Sequence, residues 1–329
     1  MNTQALKDKV FGCLLGGVIG DAMGAPVENW HYGKILAEKG YIDDFDGAGT
    51  DDSIVKLILC EALLEHGGHI TADEFAASFM NHDKDYDWFF VPVRNSYHKI
   101  KDELDLPVNA GYDNMASSSS AMSISPMGII NACDPRTAAN EAYEVAGLIH
   151  SGCCSFCRDA ASAMAAAVAA AFMPGATVDS VAEASTAYLH PKSAAVMLRR
   201  IGDTLALAHR SGGYEAFRKS YYETMHLYNT FCDSRETVPV ALALFFLSNG
   251  DVNKAIEYGA NFGRDADTIA TMAGALGGAL RGVGALRPQW VQKVLDHNLQ
   301  QRTLAEQMTG LLVKRYEEKK ALLAAIDAV

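Results

Sequence analysis

Two short acidic clusters carry the clearest chemistry in this 329-residue chain. The first is Gly47-Ala48-Gly49-Thr50-Asp51-Asp52-Ser53, followed by an apolar run at helical period (Leu57, Ile58, Cys60, Leu63, Leu64). The second is Gly263-Arg264-Asp265-Ala266-Asp267-Thr268, ahead of a stretch rich in small residues. Each reads as glycine, two close acids, a hydroxyl, then a helix. One Thr, Asp or Ser at such a place is an ordinary N-cap. Capping does not account for a second carboxylate, because neighbouring helical residues point about 100° apart. Asp51, Asp52, Asp265 and Asp267, with Thr50 and Thr268, make the all-oxygen donor set that hard divalent cations take. Buried together without a cation, those carboxylates would repel one another and desolvate at high cost. Magnesium or manganese removes that cost. Calcium also fits the donor chemistry, although the spacing is not that of an EF-hand loop.

A third stretch, Gly16-Gly17-Val18-Ile19-Gly20-Asp21-Ala22-Met23-Gly24-Ala25-Pro26-Val27-Glu28, has the glycine density of a tight helix-to-loop passage near a ligand. Asp21 reads as a helix cap. Glu28 follows a proline turn, where it could act as a general acid or base over a cleft.

The elements that must position these residues read as helices. Thr71-Ala72-Asp73-Glu74 is a capping-box pattern. Helical periods are expected over 136–149, 158–172, 178–188, 191–208, 214–225, 238–247, 252–262, 268–282 and 287–309. Pro174-Gly175, Gly212-Gly213 and Asn249-Gly250-Asp251 separate them as turns. Alternating strands are nearly absent, and no linker marks a boundary. The expectation is one all-α domain spanning 1–329. Segments 82–107 and 109–126 lack a period and read as irregular. The latter carries the run Ser117-Ser118-Ser119-Ser120.

Composition narrows the function classes. Hydrophobic residues are 49%, charged residues 21% and net charge −12, as in an ordinary acidic globular protein. Such a surface disfavours nucleic-acid binding through a basic patch. The N-terminus lacks a good signal peptide, and no apolar run reads as long enough to span a bilayer. Seven irregularly spaced cysteines suit free thiols in a cytoplasmic protein. His150, Cys153, Cys154 and Cys157 at helical spacing cannot surround one zinc ion tetrahedrally.

Gly20-Asp21-Ala22-Met23-Gly24-Ala25-Pro26-Val27-Glu28, Thr50-Asp51-Asp52-Ser53 and Arg264-Asp265-Ala266-Asp267-Thr268, in that order, resemble the ADP-ribosylglycohydrolase family. Further matches are Ser125-Pro126-Met127-Gly128, Ala146–His150, Glu236-Thr237-Val238-Pro239, the small-residue stretch 273–282 and Trp290. The resemblance covers about residues 10–291. It implies an all-α orthogonal bundle with a two-magnesium cleft, manganese being able to substitute. The implied metal ligands are Thr50, Asp51, Asp52, Asp265, Asp267 and Thr268, with Glu28 beside the scissile bond. The implied reaction is hydrolysis of an N- or O-glycosidic bond at the anomeric carbon of an ADP-ribosyl or related ribosyl conjugate. By the same analogy Asp113, Ser118, Ser119, Ser120, Ser123 and His150 meet the substrate. The chain departs from the family in two loops. Ser118–Ser123 stands in place of an Asn-Gly pair before Met-Arg, and 149–154 in place of Thr-His and a proline turn. Those departures leave open an N-ribosyl hydrolase with a smaller, nucleoside-type substrate, and a non-catalytic ADP-ribose-binding member.

Overall fold

The computed structural model describes residues 2–228, 230–298 and 300–328. Helices account for most of them: α1 Thr3–Gly24, α2 Tyr32–Glu38, α3 Asp51–Glu65, α4 Ala72–Met80, α5 Val91–Lys101, α6 Ser125–Ile130, α7 Pro135–Val145 and α8 Phe156–Ala171. The second half continues with α9 Val178–Ala187, α10 Ala195–Arg210, α11 Tyr214–Thr224, α12 Ser234–Leu247, α13 Val252–Ala260, α14 Ala266–Arg281, α15 Pro288–His297 and α16 Gln300–Asp327. The strands among the described residues are β1 Trp30–His31 and β2 Gly263–Arg264, paired antiparallel with Trp30 opposite Arg264. The fold is all-α, as expected.

Several helices begin where the sequence signals them. Thr71 and Glu74 form the reciprocal capping box at α4. Three expectations need correction. Segment 82–107 is not irregular: a 3₁₀ turn, Asp83–Trp88, leads into α5. The single helix expected over 287–309 is two, parted at Asn298, the C-cap of α15. The glycines of 12–24 do not form a loop passage but lie inside α1.

That last difference organises the core. α1 and α14 run antiparallel at unusually close range. A Cβ added at Gly16 would lie 2.2 Å from Gly274 O, and one at Gly20 would lie 2.3 Å from Ala270 O. At Gly24 it would lie 2.3 Å from the Asp267 Cα. The four-residue spacing of Gly12, Gly16, Gly20 and Gly24 puts all four on one helical face, and that bare face admits the α14 backbone. A Cβ at Gly278 would meet Gly12 O at 1.9 Å. Gly278→Ala is therefore expected to destabilise the fold by about 3 kcal/mol, read by urea denaturation. An unchanged midpoint would show that the two helices separate at little cost.

Thr3–Val27 is also long and apolar enough by composition to cross a bilayer, contrary to the reading of the sequence. In the fold, 83% of its most apolar window is buried.

Candidate metal centre

Each acidic cluster sits at the start of a helix, and the glycine contact brings the two starts together. Thr50 caps α3, its hydroxyl accepting from Asp52 N at 3.3 Å. Asp265 holds the N-cap position of α14, which leaves Asp267 and Thr268 in the first turn. Both helix N-termini favour negative charge. The clusters then meet side chain to side chain. Thr268 Oγ1 lies 3.2 Å from Asp52 Oδ2, and Thr50 Oγ1 lies 3.4 Å from Asp267 Oδ2.

The β1–β2 pair adds Glu28. Asn29, at φ +61°, donates its N–H to Arg264 O at 2.6 Å. Arg264 is itself at φ +61°, a conformation costly for a residue with a Cβ. Its guanidinium is anchored by the fully buried Glu236 at 2.6 Å and by Leu227 O at 2.8 Å. Held this way, carboxylate oxygens of Glu28, Asp265 and Asp267 come within 4.8 Å of one another.

These acids are buried beyond what their hydrogen bonds compensate. Asp52, Asp265 and Asp267 are only 2–3% exposed. Phe90 N–H reaches Asp51 at 2.9 Å, and the Ser118 hydroxyl reaches Asp265 at 2.6 Å. Asp52 Oδ1 and Asp267 Oδ1 are buried with no hydrogen-bond partner. Two orphaned carboxylate oxygens facing a ring of acids fit a hard cation, so the donor set suits magnesium or manganese. Burial pushes Asp51 up to about 7 against the Phe90 hydrogen bond, with the charges of Asp21 and Glu28 adding to it. Burial likewise pushes Asp265 to about 8, against the Ser118 hydrogen bond. Asp52 and Asp267 rise well above the carboxylate range, first through burial and then through a neighbouring acid.

A carboxyl whose folded pKa is raised binds protons that the unfolded chain has already released, so stability falls as pH rises between the two values. In EDTA, the melting temperature is therefore expected to drop from about pH 4 to pH 8, the window set by Asp51 and Asp265. Magnesium should flatten that slope. A flat profile in EDTA would contradict the picture of uncompensated acids.

Glu28, Asp51, Asp52, Asp265, Asp267, Thr268, Ser118 and Ser119 line one pocket of about 290 Å³. Thr50 stands behind it, joined to Asp267 and Asp21. Four expected substrate residues do not line this pocket. Asp113 is exposed at φ +62°. Ser120 and Ser123 are buried, and His150 is fully enclosed. The His150 ring bridges Ser120 and Ser117, the latter at 3.1 Å, so it supports the serine turn from behind. Burial pushes its pKa down to about 4, which keeps it neutral.

The sequence marked Asp21 only as a helix cap and left four pocket residues unmarked. Asp21, inside α1 and fully buried, accepts from Thr50 N at 2.8 Å, Thr50 Oγ1 at 3.0 Å, Ser53 N at 3.0 Å and the Ser53 hydroxyl. It ties the α3 N-terminus to α1. The signal available was an acid within an otherwise apolar, glycine-rich helix. Phe90, Met122, Phe231 and Cys232 also line the pocket. Nothing in their local sequence marks them.

Comparison with known proteins agrees with this architecture. The chain is 28% identical over 309 residues to the Escherichia coli (strain K12) protein YegU, covering 85% of this chain and 90% of that one. A 59-residue stretch, 18% of this chain and 16% of the relative, is 44% identical to the ADP-ribosylarginine hydrolase Tri1 of Pseudomonas putida (strain GB-1). A solved structure titled ADP-ribosylglycohydrolase-related protein complex shares the fold. Its TM-score is 0.71 at 21% identity, covering 94% of this chain and 99% of that one. The sequence model of the family described as ADP-ribosylglycohydrolase matches residues 2–321. With nearly its whole length matched, the chain belongs to the ADP-ribosylglycohydrolase family.

Proposed function

We propose that this protein is a magnesium-dependent glycohydrolase that cleaves the anomeric bond of an ADP-ribosyl or related ribosyl conjugate. The observation that carries this reading is the convergence of Glu28 with Asp265 and Asp267, beside two buried carboxylate oxygens that lack partners. Thr50, Asp51, Asp52, Asp265, Asp267 and Thr268 would hold the metal, with room in the donor set for two ions. Magnesium bound there would fix ribose hydroxyls and make a bound water more acidic. Glu28 is the group free for proton transfer. Burial, and then the charge of Asp21, raises its pKa, so it keeps a proton at a higher pH than an ordinary carboxyl. A carboxyl poised this way can protonate a departing atom and later accept a proton from water. The stretch shared with the Pseudomonas putida ADP-ribosylarginine hydrolase supports an ADP-ribosyl substrate.

A second reading is a nucleoside-type N-ribosyl hydrolase. It is favoured by the serine turn at 118–123, which stands in place of the family's Asn-Gly pair. The Ser118 hydroxyl is also committed to Asp265 and Cys232 O and is not offered to a pyrophosphate.

Product release from ADP-ribosylated peptide and from free nucleosides, assayed in magnesium, separates the two. Glu28→Gln is expected to lower kcat by about a hundredfold or more while magnesium binding, measured by titration calorimetry, persists. Unchanged kcat would remove Glu28 from the mechanism. Tight ADP-ribose binding without product from the native protein would leave a binding member of the family.

A further inference from the structure

Lys56 lies in the core of the protein. It is 3% exposed on α3, and its Nζ has no hydrogen-bond partner among the described residues. A buried polar group left unpaired calls for an explanation, and an ammonium costs more to bury than a neutral group. Gly17 of α1 makes the room for it: a Cβ there would lie 2.6 Å from Lys56 Nζ. The neighbouring thiols do not balance the charge. Burial pushes Cys13 and Cys60 up to about 12, against the charge of Lys56, so both stay neutral.

Two helices bring acids to within a turn of this ammonium. On α3, Lys56 follows Asp52 by four residues, so the two share a face. Helical side chains lean toward the N-terminus, which here is the end that carries Asp52. On α1, Gly17 precedes Asp21 by four residues, again on one face. The two routes join, because Asp21 accepts from Ser53 N at 3.0 Å, and Ser53 lies three residues before Lys56. Lys56 itself does not line the pocket.

We propose that Lys56 is the fixed counter-charge of the metal centre, set beneath Asp21 and Asp52, and that it limits how tightly the centre holds magnesium. The inference rests on the magnesium reading above. Inside the protein such a charge is little screened, so it opposes a divalent ion across a helical turn of about 5.4 Å. Lys56 touches neither the ion nor the substrate; it offsets the acids that do.

Titration calorimetry of the full chain with magnesium alone tests this. Lys56→Met keeps the length of the side chain and removes its charge. It is expected to bind magnesium at least about tenfold more tightly than the native protein. Lys56→Gln, uncharged but still polar, should tighten binding alike, which separates charge from packing and serves if Lys56→Met does not fold. Cys60→Ala disturbs the same packing without touching the charge and should leave the affinity unchanged. Native binding with no gain in either Lys56 variant overturns this inference alone, and an equal gain in Cys60→Ala does the same by assigning the effect to packing. A native protein that binds no magnesium overturns the metal reading and this inference with it.

Discussion

Asp267→Ala is expected to abolish turnover and, in the same protein, to raise the melting temperature measured in EDTA. The two outcomes share one cause. Asp267 is buried against Asp265, Glu28 and Asp21, and its Oδ1 has no hydrogen-bond partner. Without a cation it is a buried acid among acids, so its removal relieves a cost. With a cation that same oxygen becomes a ligand, so its removal takes away a bond to the metal. The loss in kcat/KM should reach at least about 10³-fold, above the 10- to 100-fold typical of supporting residues. The stabilisation by magnesium, which reflects binding to the folded state alone, should vanish with it. Asp52→Ala is expected to behave alike, since Asp52 Oδ1 is the other orphaned oxygen. Full turnover in either variant would exclude these acids from the metal site. A lower melting temperature in EDTA would show that they serve the fold.

Asp21→Asn should give a different signature. Asp21 accepts from two backbone amides and two hydroxyls of Thr50 and Ser53, and it lines no part of the pocket. An asparagine has one acceptor oxygen where Asp21 uses two, and its amide nitrogen would confront N–H groups. The α3 N-terminus should loosen, carrying Thr50, Asp51 and Asp52 with it. Stability is expected to fall by about 2–3 kcal/mol, the cost of unsatisfied buried donors. Magnesium affinity is expected to fall about 10- to 100-fold, as for other residues that orient ligands. Because the ligands themselves remain, excess magnesium should recover much of the activity of Asp21→Asn and none of that of Asp267→Ala. Equal responses to added magnesium would place Asp21 among the ligands.

Much of the candidate site was legible because its signals are local. A glycine turn, two acids and a hydroxyl before an apolar helix are read within about six residues, and both clusters do begin helices. The capping box at Thr71 is equally local. The serine loop was harder to read. Ser118, Ser119, Ser120 and Ser123 are the same residue type within six positions, yet only the first two line the pocket. Hydroxyl direction there follows the turn and the enclosed His150 behind it, neither of which has a period. Phe90, Phe231 and Cys232 reach the site from distant segments, and a lone aromatic or thiol is equally at home in a core.

By itself, then, the sequence determined the donor chemistry and the helical class, because residue type sets what an oxygen can bind and short-range periodicity sets the helix. The family resemblance implied that the two clusters share one cleft, and only the tertiary structure decided how they meet. Asp52 and Asp267 are more than two hundred residues apart, and what joins them is the bare glycine face of α1, which admits α14 until Gly24 lies against the Asp267 backbone. The same stripe read as a loop when only its composition was considered. Its role depends on which helix lies across it, and residues 266–281 supply that helix from the other end of the chain.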